Sequence, residues 1–395
     1  MWIPASSASW GSHCSSRGLT TKPKVRGAVS AITTLSLRHP QGDTPIHVGA
    51  GALAACRPDL AAWIEGRTVF IVAPARVREL HGEQLEETLA AAAHRHCLEV
   101  PDGEEAKELR VAERLWAEML TSGGKRDSRV IAFGGGSVGD LTGFVAGCFL
   151  RGVEFLQVPT TLLAQVDAAV GGKTGINQPA GKNTIGLFHH PWKVVADTEL
   201  LGTLPAPEIR SGLMEVLKMG ILSSPKLFTR LEDGLEDLLA GDPQALAPAV
   251  AAAIQGKIDI VERDPTEKGE RRLLNLGHTL GHALETALGY RALRHGEAVA
   301  YGTLFATRLA LRRGQLDPVI ADRIGGLIGR FRLPELPAVA TRDLIEIMAR
   351  DKKARESGLS WILPRGLGEC EIVADIAESE VLQALEPFLT DPFVG

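Results

Sequence analysis

The sequence predicts an α/β domain built on a mostly parallel sheet, followed by an all-α C-terminal domain. Two observations carry this. Up to about residue 204, short apolar runs of strand length alternate with amphipathic stretches, the pattern of parallel strands covered by helices. After Thr203-Leu-Pro-Ala-Pro207 the texture changes to long stretches of helical spacing, and the two prolines are natural punctuation for a boundary. At about 150 residues per domain, 395 residues suit two or three domains.

The elements follow in order. Ile32-Thr-Thr-Leu-Ser-Leu37 alternates like a strand, His39-Pro-Gln-Gly-Asp43 reads as a turn, and Pro45-Ile-His-Val48 as the returning strand. Val69-Phe-Ile-Val72 is a short apolar run suited to a buried parallel strand. A helical stretch runs to about residue 96, a strand spans 97–100, and 104–120 reads as an amphipathic helix. Arg129-Val-Ile-Ala-Phe133 is a further buried strand, 141–150 a helical run, and Phe155-Leu-Gln-Val158 and Val194-Val-Ala196 continue the alternation. Beyond 208, the stretches 236–257 and 297–313 are helical by spacing. The expected organisation is an α/β domain over 28–204 and a helical domain over 205–395.

Composition narrows the function. Lys plus Arg number 43 against 48 Asp plus Glu, so the net charge is −5. That excludes a general nucleic-acid coat, which needs a large cationic excess. A hydrophobic share of 45% with 23% charged residues excludes bulk disorder. Cys14, Cys56, Cys97, Cys148 and Cys370 are scattered and odd in number, which fits reduced thiols in a cytoplasmic protein. No apolar run reaches the roughly 18 residues of a membrane helix. Residues 1–27 are Ser-rich and carry Arg17, Lys22, Lys24 and Arg26 with no acidic residue. They read as a transit-type leader, a disordered tail or an over-extended start, outside the fold.

Three groups of residues could carry chemistry. Phe133-Gly-Gly-Gly-Ser-Val-Gly-Asp140 follows a strand and opens a helix. Such glycines let backbone N–H groups approach a pyrophosphate at the positive end of the helix, so a Rossmann-like dinucleotide site is expected there. Glu215 and Lys218 lie three apart on one helical face, Gly277-His-Thr-Leu-Gly-His282 places two imidazoles at i and i+4, and His295-Gly-Glu297 adds a third. Three histidines and a carboxylate suit a divalent metal, and spacing alone leaves open which three of the four bind. Arg151, Lys173, Lys182, Lys257, Arg271, Lys352 and Lys353 sit beside Gly, Asn or Asp in an otherwise acidic chain. Glycine next to lysine is a common way to hold an oxyanion, and a substrate with more than one negative group accounts for the set.

These motifs resemble a known family. The run Val158-Pro-Thr-Thr-Leu-Leu-Ala-Gln-Val-Asp-Ala-Ala-Val-Gly-Gly-Lys-Thr-Gly-Ile-Asn177 with Gly181-Lys-Asn183 is similar to 3-dehydroquinate synthases of the sugar-phosphate cyclase superfamily. So are Leu150-Arg-Gly152, Met214-Glu-Val-Leu-Lys218, Leu274-Asn-Leu-Gly-His-Thr-Leu-Gly-His282, His295-Gly-Glu297 and Asp351-Lys-Lys353. The likeness spans about 31–389. It implies a dehydroquinate synthase-like fold and a cytoplasmic homodimeric lyase of the shikimate route. That enzyme turns 3-deoxy-arabino-heptulosonate 7-phosphate into 3-dehydroquinate and phosphate. NAD would serve catalytically: a hydroxyl is oxidised, phosphate is eliminated, the ketone is reduced again and the ring closes by an aldol step. A divalent metal, zinc or cobalt, would act as Lewis acid.

Carried over by position, the resemblance implies Glu215, His278 and His295 as metal ligands, with His282 facing the phosphate. Lys173, Asn183, His282 and Lys353 would hold that phosphate, with Arg151 reaching across a dimer interface. Lys257 and Arg271 would clamp the carboxylate. Asp167, Lys218 and Asn275 would contact ring hydroxyls, and Lys182 would complete the polar lining. Gly135, Gly136 and Asp140 would bind the NAD pyrophosphate, Thr160, Thr161 and Thr203 would make further cofactor contacts, and Glu104 and Lys107 would meet the nucleoside end. Departures are Pro74 where an acid or amide often meets the ribose, Gly175 for alanine and Met219 for tyrosine. The rival readings are a cyclase making an amino-dehydroquinate, deoxy-inosose or valiolone, and a metal-dependent polyol dehydrogenase that would release reduced cofactor.

Overall fold

The computed structural model describes residues 32–393 except 180, 355–359 and 375, and gives no side chains for 351–354. The basic leader read at 1–27, and the side chains of Lys352 and Lys353, therefore lie outside the described residues.

Strands β1 (Thr33–His39), β2 (Gly42–Gly49), β3 (Thr68–Ala73), β4 (His94–Glu99), β5 (Arg129–Gly134) and β6 (Phe155–Pro159) precede β7 (Lys173–Gln178), β8 (Gly181–Phe188) and β9 (Lys193–Asp197). Seven of them form one sheet in the order β1-β2-β9-β6-β5-β3-β4. β1 and β2 pair antiparallel, and every other ladder in this sheet is parallel. The central strands are buried on both faces: all of β6 and β9, and all but the first residue of β3 and β5. That two-sided burial is why they read as unbroken apolar runs instead of alternating ones. The chain steps from β3 out to β4, then returns to the other side of β3 as β5. The ends of β3 and β5 thus mark a switch point, where open α/β sheets leave a crevice for ligands.

The helices are α1 (Ala52–Ala55), α2 (Arg57–Ile64), α3 (Ala75–Glu86), α4 (Leu109–Thr121), α5 (Gly136–Cys148), α6 (Ala206–Ser223) and α7 (Pro225–Leu239), then α8 (Pro243–Arg263), α9 (His278–Ala287), α10 (His295–Arg312), α11 (Pro318–Arg330), α12 (Thr341–Ala354) and α13 (Glu378–Thr390). Helix α5 and α4 cover one face of the sheet, where Phe144, Val145, Leu115 and Met119 meet Phe70, Val130 and Phe155. The other face is shared. Leu53, Leu60 and Ile64 pack on Ile71, Phe133 and Val195, while Ile46, Val48 and Val194 join α6 and α8 in the largest cluster. That cluster continues through Phe305, Trp361 and Phe388 to the C-terminal helices, so one apolar core runs across residue 204. Each fully buried aromatic of this kind contributes roughly 1.5–3 kcal/mol over leaving it exposed.

Three expectations need refining. The stretch read as one helix over 236–257 is two, because Gly241 turns left-handed at φ 73° and Asp242 then caps α8 by accepting from the N–H of Gln244 and Ala245. The stretch 104–120 opens as a 3-10 turn, Gly103–Lys107, broken from α4 by extended Glu108. The C-terminal part is helical but includes one hairpin, β10 (Ser360–Gly366) with β11 (Glu369–Ala374), turning at Gly368 with φ 82° and burying Trp361, Ile362 and Leu363. Among the described residues, no helix is long and apolar enough to cross a membrane.

Candidate active site

Three helices bring Glu215, His278 and His295 to one point. Glu215 lies in the middle of α6, while His278 and His295 are the first residues of α9 and α10. Their donor atoms lie within 4.8 Å of one another. The Glu215 Oε1 is 4.0 Å from His278 Nε2 and 3.7 Å from His295 Nε2. It is buried with no hydrogen-bond partner, which is costly unless something fills the space between the three groups.

Glycines make this convergence possible. A Cβ on Gly296 would sit 2.0 Å from the Ser211 carbonyl oxygen, and one on Gly302 1.8 Å from that of Gly277. On Gly281 it would lie 3.2 Å from the Ala298 carbonyl oxygen. Helices α6, α9 and α10 therefore touch backbone to backbone beside the histidines. Ser211 Oγ accepts from Gly296 N–H at 3.0 Å, and Glu297 reaches back to Arg294 N–H at 2.9 Å, which fixes the start of α10.

The electrostatics push the two imidazoles in opposite directions. Burial, then Lys218, His282 and His295, hold His278 well below the ordinary imidazole value. Burial is also the largest influence on His295 and lowers it, but Glu285, Glu215 and Asp167 together outweigh it and raise the group. Lys218 pairs with Glu215 one helical turn away, both fully buried. A neutral imidazole, a second imidazole and a buried carboxylate are a nitrogen-and-oxygen donor set that suits zinc with an open position.

Asp167, whose charge reaches His278 and His295, also lines a cavity of about 520 Å³, with Asp140, Lys173, Asn183, Lys257 and Arg271 among others. Asp167 is held in the cavity wall by a π-helical turn, Ala164–Ala168, whose Gln165 donates to the Pro159 and Asp197 carbonyls at 3.1 and 2.9 Å. Lys257 Nζ donates to Asp167 Oδ1 and to its carbonyl, each at 2.6 Å. Burial would raise the Asp167 carboxyl, but Lys257 and Lys218 overcome it and hold the group below the usual carboxylate range. Arg271, 2% exposed, donates to the carbonyls of Pro265 at 2.7 Å and Gly171 at 3.1 Å, leaving its Nε buried and unpartnered.

Lys173 pairs with Glu267, and Lys107 with Asn183 and, at 2.6 Å, with Asp140. Lys182 Nζ stands 3.7 Å from the centre of the Tyr290 ring, so the tip of the β7–β8 hairpin meets the loop after α9. Asn275 ends the turn Glu270–Asn275 just before α9. His282 is exposed one turn along α9 and groups with Glu285 and His295. Arg151 is exposed at a left-handed turn, φ 71°, distant in sequence from this cluster.

The glycine-rich run forms the β5–α5 turn. Gly135 caps α5 in extended conformation, and a Cβ there would meet Thr161 Cγ2 at 3.3 Å, while one on Gly136 would meet Ala168 at 3.1 Å. The bare turn at a helix N-terminus, over the end of a central strand, leaves backbone N–H groups open to an anion. Thr160 and Thr161 follow β6 beside it, and Thr203 Oγ1 is 2.8 Å from His81 Nε2. Glu104 accepts from Asn177 at 2.7 Å and Ser137 at 3.3 Å, tying the 3-10 turn to the hairpin and to α5.

Sequence reasoning passed over Glu267, Glu285 and Asn177. Glu267 sits in a loop at φ 60°, where no periodicity marks it. Asn177 orders the hairpin by accepting from Asn183 N–H at 2.9 Å. The β7–β8 hairpin was also unmarked, because its outer strand is polar, glycine-rich and exposed. Gly175 and Gly186 serve close pairing there: a Cβ on Gly186 would lie 2.2 Å from the Thr174 carbonyl oxygen.

Residues 97–211 match the 3-dehydroquinate synthase N-terminal family model and residues 212–354 its C-terminal one. The 3-dehydroquinate synthase of Xylella fastidiosa (strain M12) is 44% identical over 367 residues, 89% of this chain and 99% of that protein. That of Shewanella denitrificans is 43% identical over 345 residues, 87% of this chain and 96% of the relative. Among solved structures, the 2-epi-5-epi-valiolone synthase of Streptomyces hygroscopicus, with NAD+ and Zn2+ bound, is similar at TM-score 0.81 and 31% identity over 93% of this chain and 100% of that one. The chain belongs to the 3-dehydroquinate synthase family.

Proposed function

We propose that the protein converts 3-deoxy-arabino-heptulosonate 7-phosphate to 3-dehydroquinate and phosphate, with NAD and a divalent metal, as a cytoplasmic homodimer. The observation that carries this is the meeting of Glu215, His278 and His295 beside a cavity lined by Lys173, Lys257 and Arg271, in a chain of this family. The three donors would hold the metal, and the Gly135–Gly136 turn would hold the dinucleotide, with Asp140, Thr160, Thr161, Thr203, Glu104 and Lys107 around it. Bound, these groups supply Lewis acidity and reversible hydride exchange.

The chain's own residues bind and orient. Arg271 and Lys257 receive the sugar carboxylate, Arg271 with an unpartnered buried donor to give it. Lys173, Asn183, His282 and Lys353 receive the phosphate, and the exposed Arg151 extends that grip from the second subunit. Asp167, ionised by Lys257 and Lys218, accepts from ring hydroxyls, while Lys218 and Asn275 donate to them. Lys182 completes the lining. Retention of both anion grips supports a sugar acid over a neutral phosphosugar. The test is phosphate release from the heptulosonate phosphate with catalytic NAD and zinc. Net NADH would refute this reading in favour of a polyol dehydrogenase, and turnover only of substrates lacking the carboxylate would assign another cyclase activity.

A further inference from the structure

His295 stands at the junction of two potential metal-binding groups. One joins it to Glu215 and His278, the other to His282 and Glu285, and in each the donor atoms lie within 4.8 Å. An imidazole has two distinct nitrogens, and the partner of one fixes the role of the other. His295 Nε2 faces Glu215 Oε1 at 3.7 Å, while Nδ1 lies 3.3 Å from Glu285 Oε2.

Two features decide between the groups. His278 commits its Nδ1 to the Leu276 carbonyl at 3.1 Å, which leaves Nε2 as the atom that faces Glu215. The orphaned buried oxygen also belongs to this side, as Glu215 Oε1 has no hydrogen-bond partner, whereas Glu285 Oε2 is already engaged by His295. Glu285 lies two helical turns beyond His278 on α9 and is 9% exposed. One helix thus brings a ligand and, on the same face, a carboxylate against the ligand of the next helix.

We propose that Glu285 is a positioning residue for the metal centre. Its carboxylate accepts the Nδ1–H of His295 and fixes the tautomer whose Nε2 lone pair points into the space shared with Glu215 and His278. This rests on the reading of that trio as the metal site. Partners of this kind typically change metal affinity 10–100-fold on removal.

The test compares the wild type with Glu285→Ala, Glu285→Gln and His278→Ala. It measures zinc affinity by competition with a chromophoric chelator, the visible spectrum of the cobalt-loaded protein, and imidazole ¹⁵N shifts. The expected result is a loss of roughly 10–100-fold for Glu285→Ala with the cobalt bands unmoved. Glu285→Gln should recover most of the affinity, because its amide oxygen accepts the same N–H. His295 should carry its proton on Nδ1 in both the wild type and Glu285→Gln, a readout that stands even if the alanine variant fails to fold. Wild-type zinc affinity in Glu285→Ala, an Nε2-protonated His295 in the wild type, or a changed cobalt coordination spectrum would overturn the proposal. Wild-type zinc affinity in His278→Ala would overturn the metal reading itself, and the Glu285 role with it.

Discussion

Gly302→Ala tests how closely α9 and α10 must cross to build the centre. An added Cβ would lie 1.8 Å from the Gly277 carbonyl oxygen, 2.7 Å from its carbon and 3.0 Å from Gly281 N. All three are backbone atoms, so no side chain can rotate away. A carbon needs about 3.5 Å from such atoms, and α10 must therefore retreat from α9 by more than an ångström. Overpacking of a dense core costs about 1–3 kcal/mol, and rigid backbone places this site at the upper end. Alanine returns up to about 1 kcal/mol through helix propensity, which leaves a net loss of about 2 kcal/mol. Urea unfolding measures the loss, and zinc affinity should fall as well, since His278 and His295 begin the two helices. Gly326→Ala is the control, at an exposed α11 position where a Cβ meets nothing within 4 Å; it should stabilise by up to about 1 kcal/mol. A Gly302→Ala protein as stable as wild type, with unaltered metal affinity, would refute the argument.

Other consequences are equally direct. Lys257→Met leaves the Asp167 carboxylate without its bonded partner and should cost about 1–3 kcal/mol in urea unfolding at neutral pH, less than for a fully buried pair because the Asp167 side chain is 35% exposed; an unchanged midpoint would deny the pairing its role. Burial pushes the His190 imidazole down to about 4, so the unfolded chain protonates first as pH falls. That share of stability is full above about pH 6.5, the unfolded value, and is lost towards pH 4. The slope should flatten in His190→Gln, as denaturant unfolding at several pH values would show. Burial raises the thiols of Cys56 and Cys370 to about 11 and about 12, so iodoacetamide at pH 8 should modify exposed Cys148 before either of them, read by mass spectrometry; labelling of Cys370 ahead of Cys148 would contradict this order.

How much could be read in advance follows the physics of burial. Strands β3, β5, β6 and β9 announced themselves because both faces are covered, so every position selects for apolar side chains. The hairpin of β7 and β8 gave no such signal, since Asn183, Thr184 and Ile185 on its outer strand are exposed. Gly175 and Gly186, which let its two strands approach, leave no periodic mark either. The break between α7 and α8 was written in Gly241-Asp242-Pro243, a stop, a cap and a first-turn proline, but the apolar period on either side masked it. At the site, i,i+4 spacing placed His278 and His282 on one face and could not separate them. Only the third helix does, because Glu215 of α6 approaches His278 and His295 while Glu285 draws His282 into the other group. Contacts between distant segments leave no periodic trace, and Glu267 against Lys173 is another of that kind.

Several lysines of the candidate site, two of the proposed anion grips among them, are already paired with carboxylates of the chain. Lys173 rests on Glu267, Lys107 on Asp140, Lys257 on Asp167 and Lys218 on Glu215. An isolated buried ammonium is expensive, and a carboxylate within the chain removes much of that cost while the cavity is empty of substrate. On the proposed reading, a phosphate entering the cavity would exchange with Glu267 for Lys173 instead of meeting a bare charge, and part of the gain in attraction would offset the lost internal pair. Arg271 differs. Its two bonded arms meet carbonyl oxygens, which are neutral, and its Nε is buried without a partner. Burial lowers its guanidinium and nearby Glu267, Asp167 and Asp264 only partly restore it. An arriving carboxylate breaks no direct ion pair at Arg271 and supplies the acceptor its Nε lacks, so the net gain per contact is largest there. If Arg271 takes the carboxylate as proposed, that end of a sugar-acid phosphate is the one this cavity is electrostatically least satisfied without.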